Sequence, residues 1–494
     1  MVWLWISIII FLVSLIFSLF TAPKEIFWNM EALYLPSVLI DVLRDGGSLR
    51  TWSFAPTPYF FPDLPIVFIF GYITENVFRT LTFYAIFQTS LLAYLLGKFV
   101  RAMEPKMPRP QSYVFSLLSL SSILLIAEKF PLLYFLYFPS VHISAFLTTL
   151  WIWPYLRREK VKIPKYSIFP LLSILTLSDR ILILELYLPA ALSWARRYGR
   201  WGTSFPLISI RFFATGLIGL GLHSLIKIFL AINSPKKLST LESISHWWSD
   251  FFASILSLKL SGVFLLFAIL GGVLCLRKGK ESGHSYGFLG YFQLSLCLLP
   301  PLLGLYSGEN SLKYSIPAIV MVPVLFGILP SVQNQNYLSH SRNFAFLGLL
   351  FGLGVFAIFG EGEAQFRDPS ESIRPPETVC VDEWKEKDSF VFVLSEPRKA
   401  RRILAYSEKR VLAYPIDFST LEGSYSVSNK EWFLFPPEGP IAILPDGLGE
   451  SRIKSFYGEP TRVLHCESGS GKIWVYEDNA KIRDFLQRPV QKTK

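Results

Sequence analysis

The chain has 494 residues, of which 51% are hydrophobic and 16% aromatic, with only 17% charged. That balance excludes an ordinary soluble globule, and repeated apolar runs close to the ~20 residues a span requires point to a polytopic α-helical membrane protein. The formal net charge of +11 does not mark a nucleic-acid binder: residues 361–494 carry 22 Asp/Glu against 20 Lys/Arg, and the basic excess sits in short loops within residues 1–360, as the positive-inside bias requires.

Residues 1–20 are uniformly apolar, without a basic leader or a small-residue cleavage site, and read as an uncleaved first span with the amino terminus inside. The first extracytoplasmic loop, 21–76, gathers Glu31, Asp41, Asp45 and Asp63 among aromatics and prolines. Apolar spacing at Ala32, Leu35, Leu39 and Leu43 predicts a helix from Glu31 to Arg44 closed by Gly46-Gly47, which puts Glu31 and Asp41 on roughly one face. Prolines at 56, 58, 62 and 65 predict an extended, aromatic-rich segment, followed by a short interfacial helix at 66–72. Carboxylates gathered at a bilayer surface are candidates for chemistry; solvated charges of an ordinary loop are the plain alternative.

Further spans are predicted at about 77–100, 112–127, 140–156, 164–178, 181–195, 203–232, 251–276, 286–306, 312–330 and 343–360, about eleven in all. The alternate loops 98–111, 156–166, 196–200, 277–285 and 331–343 hold sixteen Lys/Arg, which sets the amino terminus in the cytoplasm and the carboxyl terminus outside. The spans at 164–178 and 181–195 have only 15 residues each, so their shared turn, Asp179-Arg180, is expected to sink into the bundle. An acid and a base there must be paired or hydrogen-bonded, and a structural staple between helices meets that need as well as a binding role does.

Composition changes sharply at Gly360. Residues 1–360 read as the transmembrane domain, 361–379 as a Pro-rich linker, and 380–494 as a compact extracytoplasmic α/β domain. Strands are predicted at 390–394, 410–414, 432–435, 441–444, 462–465 and 472–476, with a helix at 397–406. Of the four cysteines, Cys275 and Cys297 fall in apolar spans as small hydrophobes. Cys380 and Cys466 could form one disulfide if the tail lies outside the cytoplasm.

No GxGxxG, P-loop, GxSxG or HExxH arrangement occurs, which leaves nucleotide-dependent and zinc-protease chemistry without support. The six histidines are dispersed; His142, at the outer end of a span, suits a hydrogen-bonded interfacial histidine or a ligand. Outward-facing acids beside isolated bases at Arg180 and Lys313 suit a reaction whose leaving group is a lipid-linked phosphate. A carboxylate takes the proton of an acceptor hydroxyl, and basic groups stabilise the departing phosphate. His142, Asp41 and Asp179 complete the candidate substrate-binding set. Carboxylates with waters could also hold a divalent cation, Mg or Mn.

The order of features resembles the membrane glycosyltransferases of the GT-C superfamily, which take sugars from polyprenyl phosphates. The similarity lies in WNMEALYLPSVLIDVLRDGG, then PYFFPDLP, FPSVHISAFL, the SDR turn and ENSLKYSIPA before a late span, and the tail SFYGEPTRVLHCESGSGKIWVY is similar to that of a bacterial branch. The resemblance implies a GT-C-type fold in a bacterial inner membrane. It implies inverting transfer from a polyprenyl-phosphate-linked donor to an envelope glycan, lipid or protein, with Glu31 as general base and Asp63 as second acid or metal contact. Lys313-Tyr314 stands where an Arg-Tyr pair is common, and lysine keeps the charge but loses bidentate phosphate binding. A transporter or flippase for an amphipathic lipid, and a catalytically silent envelope scaffold, are the competing classes.

Overall fold

The computed structural model describes residues 2–157, 168–201, 207–234, 237–257, 259–282, 284–329, 373–467, 471–477 and 480–491. The chain forms two compact units. One contains Met1–Ala22, Thr82–His223 and Pro235–Asp368; the other contains Pro23–Leu81, Ser224–Ser234 and Pro369–Lys494. This division departs from the boundary at Gly360, because the first loop falls in the same unit as the carboxyl-terminal residues. Among the described residues five helices are long and apolar enough to cross a membrane: Val2–Thr21, Val77–Met103, Ile210–Phe229, Leu260–Gly279 and Asn310–Ile328. Asp63–Thr74, Ile143–Leu156 and Ile168–Ser178 are shorter apolar helices, and the predicted span at 343–360 lies outside the described residues.

The first unit is a helical bundle of α1 (Val2–Thr21), α2 (Arg109–Ile126), α3 (Ile143–Arg157), α4 (Ile168–Ser178), α5 (Leu188–Trp201), α6 (Thr240–Leu256), α7 (Leu260–Ser282), α8 (His284–Leu302) and α9 (Ile316–Ile328). Small residues set its spacing. Helix α1 buries Ser7, Ser14 and Ser18, and α2, which packs on it, buries Ser112, Ser116 and Ser119. Between α7 and α8 a Cβ on Gly290 would stand 2.8 Å from the Gly272 carbonyl oxygen, so the two backbones approach as only glycine allows. The predicted span at 251–276 is instead two helices. Ser239 caps α6 by accepting the Glu242 N–H at 3.3 Å, a Ser-x-x-Glu start inside the expected loop, and the chain breaks between Leu256 and Leu260.

In the second unit, β1 (Ser53–Phe54) of the first loop pairs in parallel with β2 (Ala231–Ile232). The carboxyl-terminal part carries a five-stranded sheet of β3 (Phe392–Ser395), β4 (Leu412–Pro415), β5 (Ile441–Ile443), β6 (Arg462–His465) and β7 (Lys472–Tyr476), in the order β4-β3-β5-β7-β6. β3 pairs in parallel with β4 and β5, and β7 runs antiparallel to β5 and β6. Alternation puts Phe392, Leu394, Tyr414 and Trp474 in one apolar cluster and Val393, Ala413, Ile473 and Val475 in the other, so the sheet is covered on both faces. Helices α10 (Pro376–Lys387), α11 (Pro397–Tyr406), α12 (Glu450–Tyr457) and α13 (Ala480–Gln491) supply the cover; α10 and α11 each open on proline, whose missing N–H has no partner to lose in a first turn. The predicted strand at 432–435 is a helical turn, Glu431–Leu434, because Asn429 Oδ1 accepts the Glu431 N–H at 2.9 Å and starts it.

Cys380 in α10 and Cys466 after β6 are joined by a disulfide across a sequence separation of 86 residues. Replacing both by serine is expected to cost about 2–4 kcal/mol, read as a lowered unfolding midpoint that reducing agent reproduces in the native protein. Identical midpoints with and without reductant, once free-thiol labelling shows the bond is open, would remove the bridge from the fold's stability.

Candidate functional site

In the first unit, three separated stretches bring predicted residues together. His142 precedes α3 with φ 66°, a left-handed conformation that a non-glycine residue adopts at a cost, and Ser140 shares it at φ 72°. That turn presents the imidazole to Asp179, and because a carboxylate can only accept, His142 Nδ1–H is the donor, at 2.9 Å to Oδ1 and 3.0 Å to Oδ2. Asp179 ends α4 and also accepts the Ile181 N–H at 3.2 Å, which shapes the turn. The His142 ring stands 5.2 Å from the Tyr314 ring, and Lys313 Nζ lies 5.6 Å from the Tyr314 ring centre. Arg180 is within electrostatic reach of both Asp179 and Tyr314. His142 and Asp179 are buried, whereas Arg180, Lys313 and Tyr314 keep part of their surface. The arrangement is an acid-oriented imidazole beside two cations and a phenol, a set of donors suited to an anion.

The chain after this turn does not continue as a regular helix. Ile183–Tyr187 is a π-helical turn, and Pro189, one residue into α5, has no N–H to offer the Glu185 carbonyl four residues back. Glu185 is fully buried, and neither carboxyl oxygen has a hydrogen-bond partner among the described residues. The Asp179 carboxylate is close enough to repel it. Gln293 of α8, which packs on this turn, is equally buried, with both amide atoms unpartnered among the described residues. Neither residue was among the candidates. The available signal was a lone acid inside the apolar run ILILELYLPA, since an ionisable group in such a run marks function by default.

The first-loop acids lie in the second unit, and two expectations about them need correction. The helix begins at Tyr34, not Glu31, since Pro36 is tolerated only in a first turn; Asn29 Oδ1 instead accepts the Glu31 N–H at 2.8 Å and folds residues 30–33 into a turn. A π-helical turn follows at Ile40–Arg44, so Glu31 and Asp41 do not share a helical face. Pro62 and Pro65 do not keep the aromatic segment extended up to residue 66: Pro62 caps, and Pro65 sits in the first turn of, the helix Asp63–Thr74, with Asp63 buried at its start.

Asp41, expected to touch substrate, is consumed by the fold. It is 1% exposed and accepts from Trp52 Nε1 at 2.6 Å, Asn429 Nδ2 at 2.8 Å and Trp432 Nε1 at 2.7 Å. Burial pushes its carboxyl above the usual carboxylate range, and the three donors hold it back. Gly47 makes room, for a Cβ there would lie 2.2 Å from Asp41 Oδ2. Backbone contacts extend the seam: Tyr406 Oη donates to the Phe27 carbonyl at 2.9 Å, Arg402 Nε to Trp28 at 3.1 Å and Arg401 to Met30 at 2.8 Å. The turn that carries Glu31 is thus held by the carboxyl-terminal α11.

Among the described residues no group of three or more His, Cys, Asp or Glu side chains is placed to hold a metal ion. Compared with known protein families, curated proteins and solved structures, the chain matches none.

Proposed function

We propose that this chain is a membrane glycosyltransferase of the GT-C type, with about eleven spans and its chemistry on the extracytoplasmic side of a bacterial inner membrane. In this reading an acceptor hydroxyl oxygen attacks the anomeric carbon of a polyprenyl-phosphate-linked sugar and loses its proton to a carboxylate. The bond from that carbon to the phosphate oxygen breaks, and polyprenyl phosphate leaves with the electron pair. The observation that carries the reading is the convergence of His142, Asp179, Arg180, Lys313 and Tyr314 from three stretches of sequence. Arg180 and Lys313 neutralise the leaving phosphate, Tyr314 donates to it, and Asp179 fixes the tautomer and orientation of His142. The base that the resemblance names is Glu31, in the other unit, with Asp63 as second acid, and that assignment is tested by itself.

The buried Glu185 in its π-helical turn favours a second reading, movement of an amphipathic lipid without a new bond. One assay separates the two. Proteoliposomes given a labelled polyprenyl-phosphate sugar and a membrane extract as acceptor source are expected to form a labelled glycoside, and Glu31→Gln to slow it by about 10²–10⁴-fold. Label that changes leaflet without changing its covalent attachment favours lipid movement, and undiminished transfer by Glu31→Gln removes that residue as base.

A further inference from the structure

A cavity lies in the first unit, lined by none of the candidate residues themselves, although Leu312, next to Lys313, is in its wall. It has a volume of about 290 Å³ and is lined by Trp247, Asp250 and Phe251 of α6, by Lys259 before α7, and by Tyr306 after α8. Its walls are fixed. The Trp247 and Phe251 rings stack at 5.0 Å with 7° between their planes. Tyr306 exchanges two hydrogen bonds with Ser243, its N–H donating to Oγ at 3.0 Å and its carbonyl accepting from Oγ at 2.9 Å, and its hydroxyl donates to Asp250 Oδ2 at 2.9 Å.

Charge is the informative feature. Asp250 and Lys259 line one cavity, yet among the described residues no ion pair joins them. A simple anion meets the Asp250 carboxylate there and a simple cation meets the Lys259 ammonium, so neither is matched. A ligand with a positive and a negative end is matched twice. Trp247 and Tyr306 beside Asp250 form an aromatic and anionic corner of the kind that receives an ammonium group, and Lys259, exposed at the mouth, suits a phosphate.

Position names the source. The apolar span of α7 starts at Leu260, one residue after Lys259, which sets the cavity at the end of a membrane-crossing segment, the depth of lipid headgroups. The other side of α6 exposes Leu241, Trp248, Phe252 and Leu256, at 83%, 46%, 53% and 84%, an apolar stripe in keeping with acyl chains. We infer that this cavity binds the headgroup of a zwitterionic phospholipid, with its ammonium at Asp250 between Trp247 and Tyr306 and its phosphate at Lys259.

The test uses the full chain, purified in detergent, stripped of lipid and offered equal amounts of phosphatidylethanolamine and phosphatidylglycerol, with bound lipid counted by native mass spectrometry. The native protein is expected to retain phosphatidylethanolamine about tenfold over phosphatidylglycerol, a difference of ~1.4 kcal/mol. Asp250→Asn should bring that ratio close to one, and Tyr306→Phe, which keeps the ring and loses the hydroxyl, should lower it part of the way. Lys259→Gln, at an exposed position where folding is not at stake, should weaken both lipids alike. Equal retention by the native protein, or an undiminished preference in Asp250→Asn or Lys259→Gln binding both lipids as the native chain does, overturns the assignment. Soluble glycerophosphoethanolamine binding as tightly as the whole lipid overturns the bilayer as the source.

Discussion

Replacing Asp41 by alanine is expected to destabilise the second unit by about 3–5 kcal/mol, because it strands two buried donors and a half-buried one at once. The indole N–H groups of Trp52 and Trp432 and the amide of Asn429 all point at this one carboxylate, and no solvent reaches it. For a unit of this size the unfolding midpoint should fall by on the order of 10 °C, and the emission of the two tryptophans should report it. Asparagine should do little better, since its amide would turn a donor toward donors. Asp45→Ala is the contrast: that acid pairs with its neighbour Arg44 at the surface, at 2.7 Å, and its loss should be nearly silent. A midpoint for Asp41→Ala within a degree or two of the native value would show that the three donors find other partners, and that the seam rests on something else.

On the proposed function, Arg180→Ala should lower sugar transfer by about 10²–10³-fold, the usual cost of removing one preorganised donor from a developing oxyanion. Arg180→Lys should recover part of the loss, since it keeps the charge and gives up the planar fork. The loss should fall on the turnover rate more than on the concentration of donor lipid that half-saturates it, because the leaving phosphate gains charge only as the bond breaks. Transfer by Arg180→Ala within twofold of the native rate would remove the guanidinium from the reaction and leave the pair Asp179-Arg180 as a staple between helices.

Much of the fold was legible in local pattern. The helix at Pro397–Tyr406 and the strands at 462–465 and 472–476 coincide with their predicted limits, because proline at a first turn and short β-branched and aromatic runs bounded by turn residues act within a few positions. The errors arose where distant partners decide. Trp432–Phe435 has the aromatic richness of a strand, yet Asn429 starts a helical turn there and Trp432 turns its N–H to Asp41. Proline misleads in both directions: local pattern extends one helix back across Pro36 and withholds another at Pro65, although each proline sits in a first turn, where it is tolerated. Between the predicted spans 203–232 and 251–276, Ser239 and Glu242 spell a helix start that hydropathy alone passes over.

The candidate residues divide the same way. Sidedness of charge pointed to the helix ends that hold His142, Asp179, Arg180, Lys313 and Tyr314, and those residues do gather. Nothing in the order of residues tells a carboxylate bound for a fold's interior from one bound for a substrate, and Asp41 lies in the interior with three donors on it. Asp250 and Lys259 stand nine positions apart, the acid just before the predicted span at 251–276 and the lysine inside it, so nothing local links them. Their meaning appears only when Tyr306 closes the third wall.

The seam around Asp41 also sets a schedule for synthesis. Asn429 is made 388 residues after the acid it serves, and Trp432 three later still. At ~5–20 residues per second the early loop waits roughly 20–80 seconds with its carboxylate unmet. Any nascent chain released before that point leaves the Asp41 carboxylate without two of its three donors, so translation past Trp432 is a condition for the seam to close.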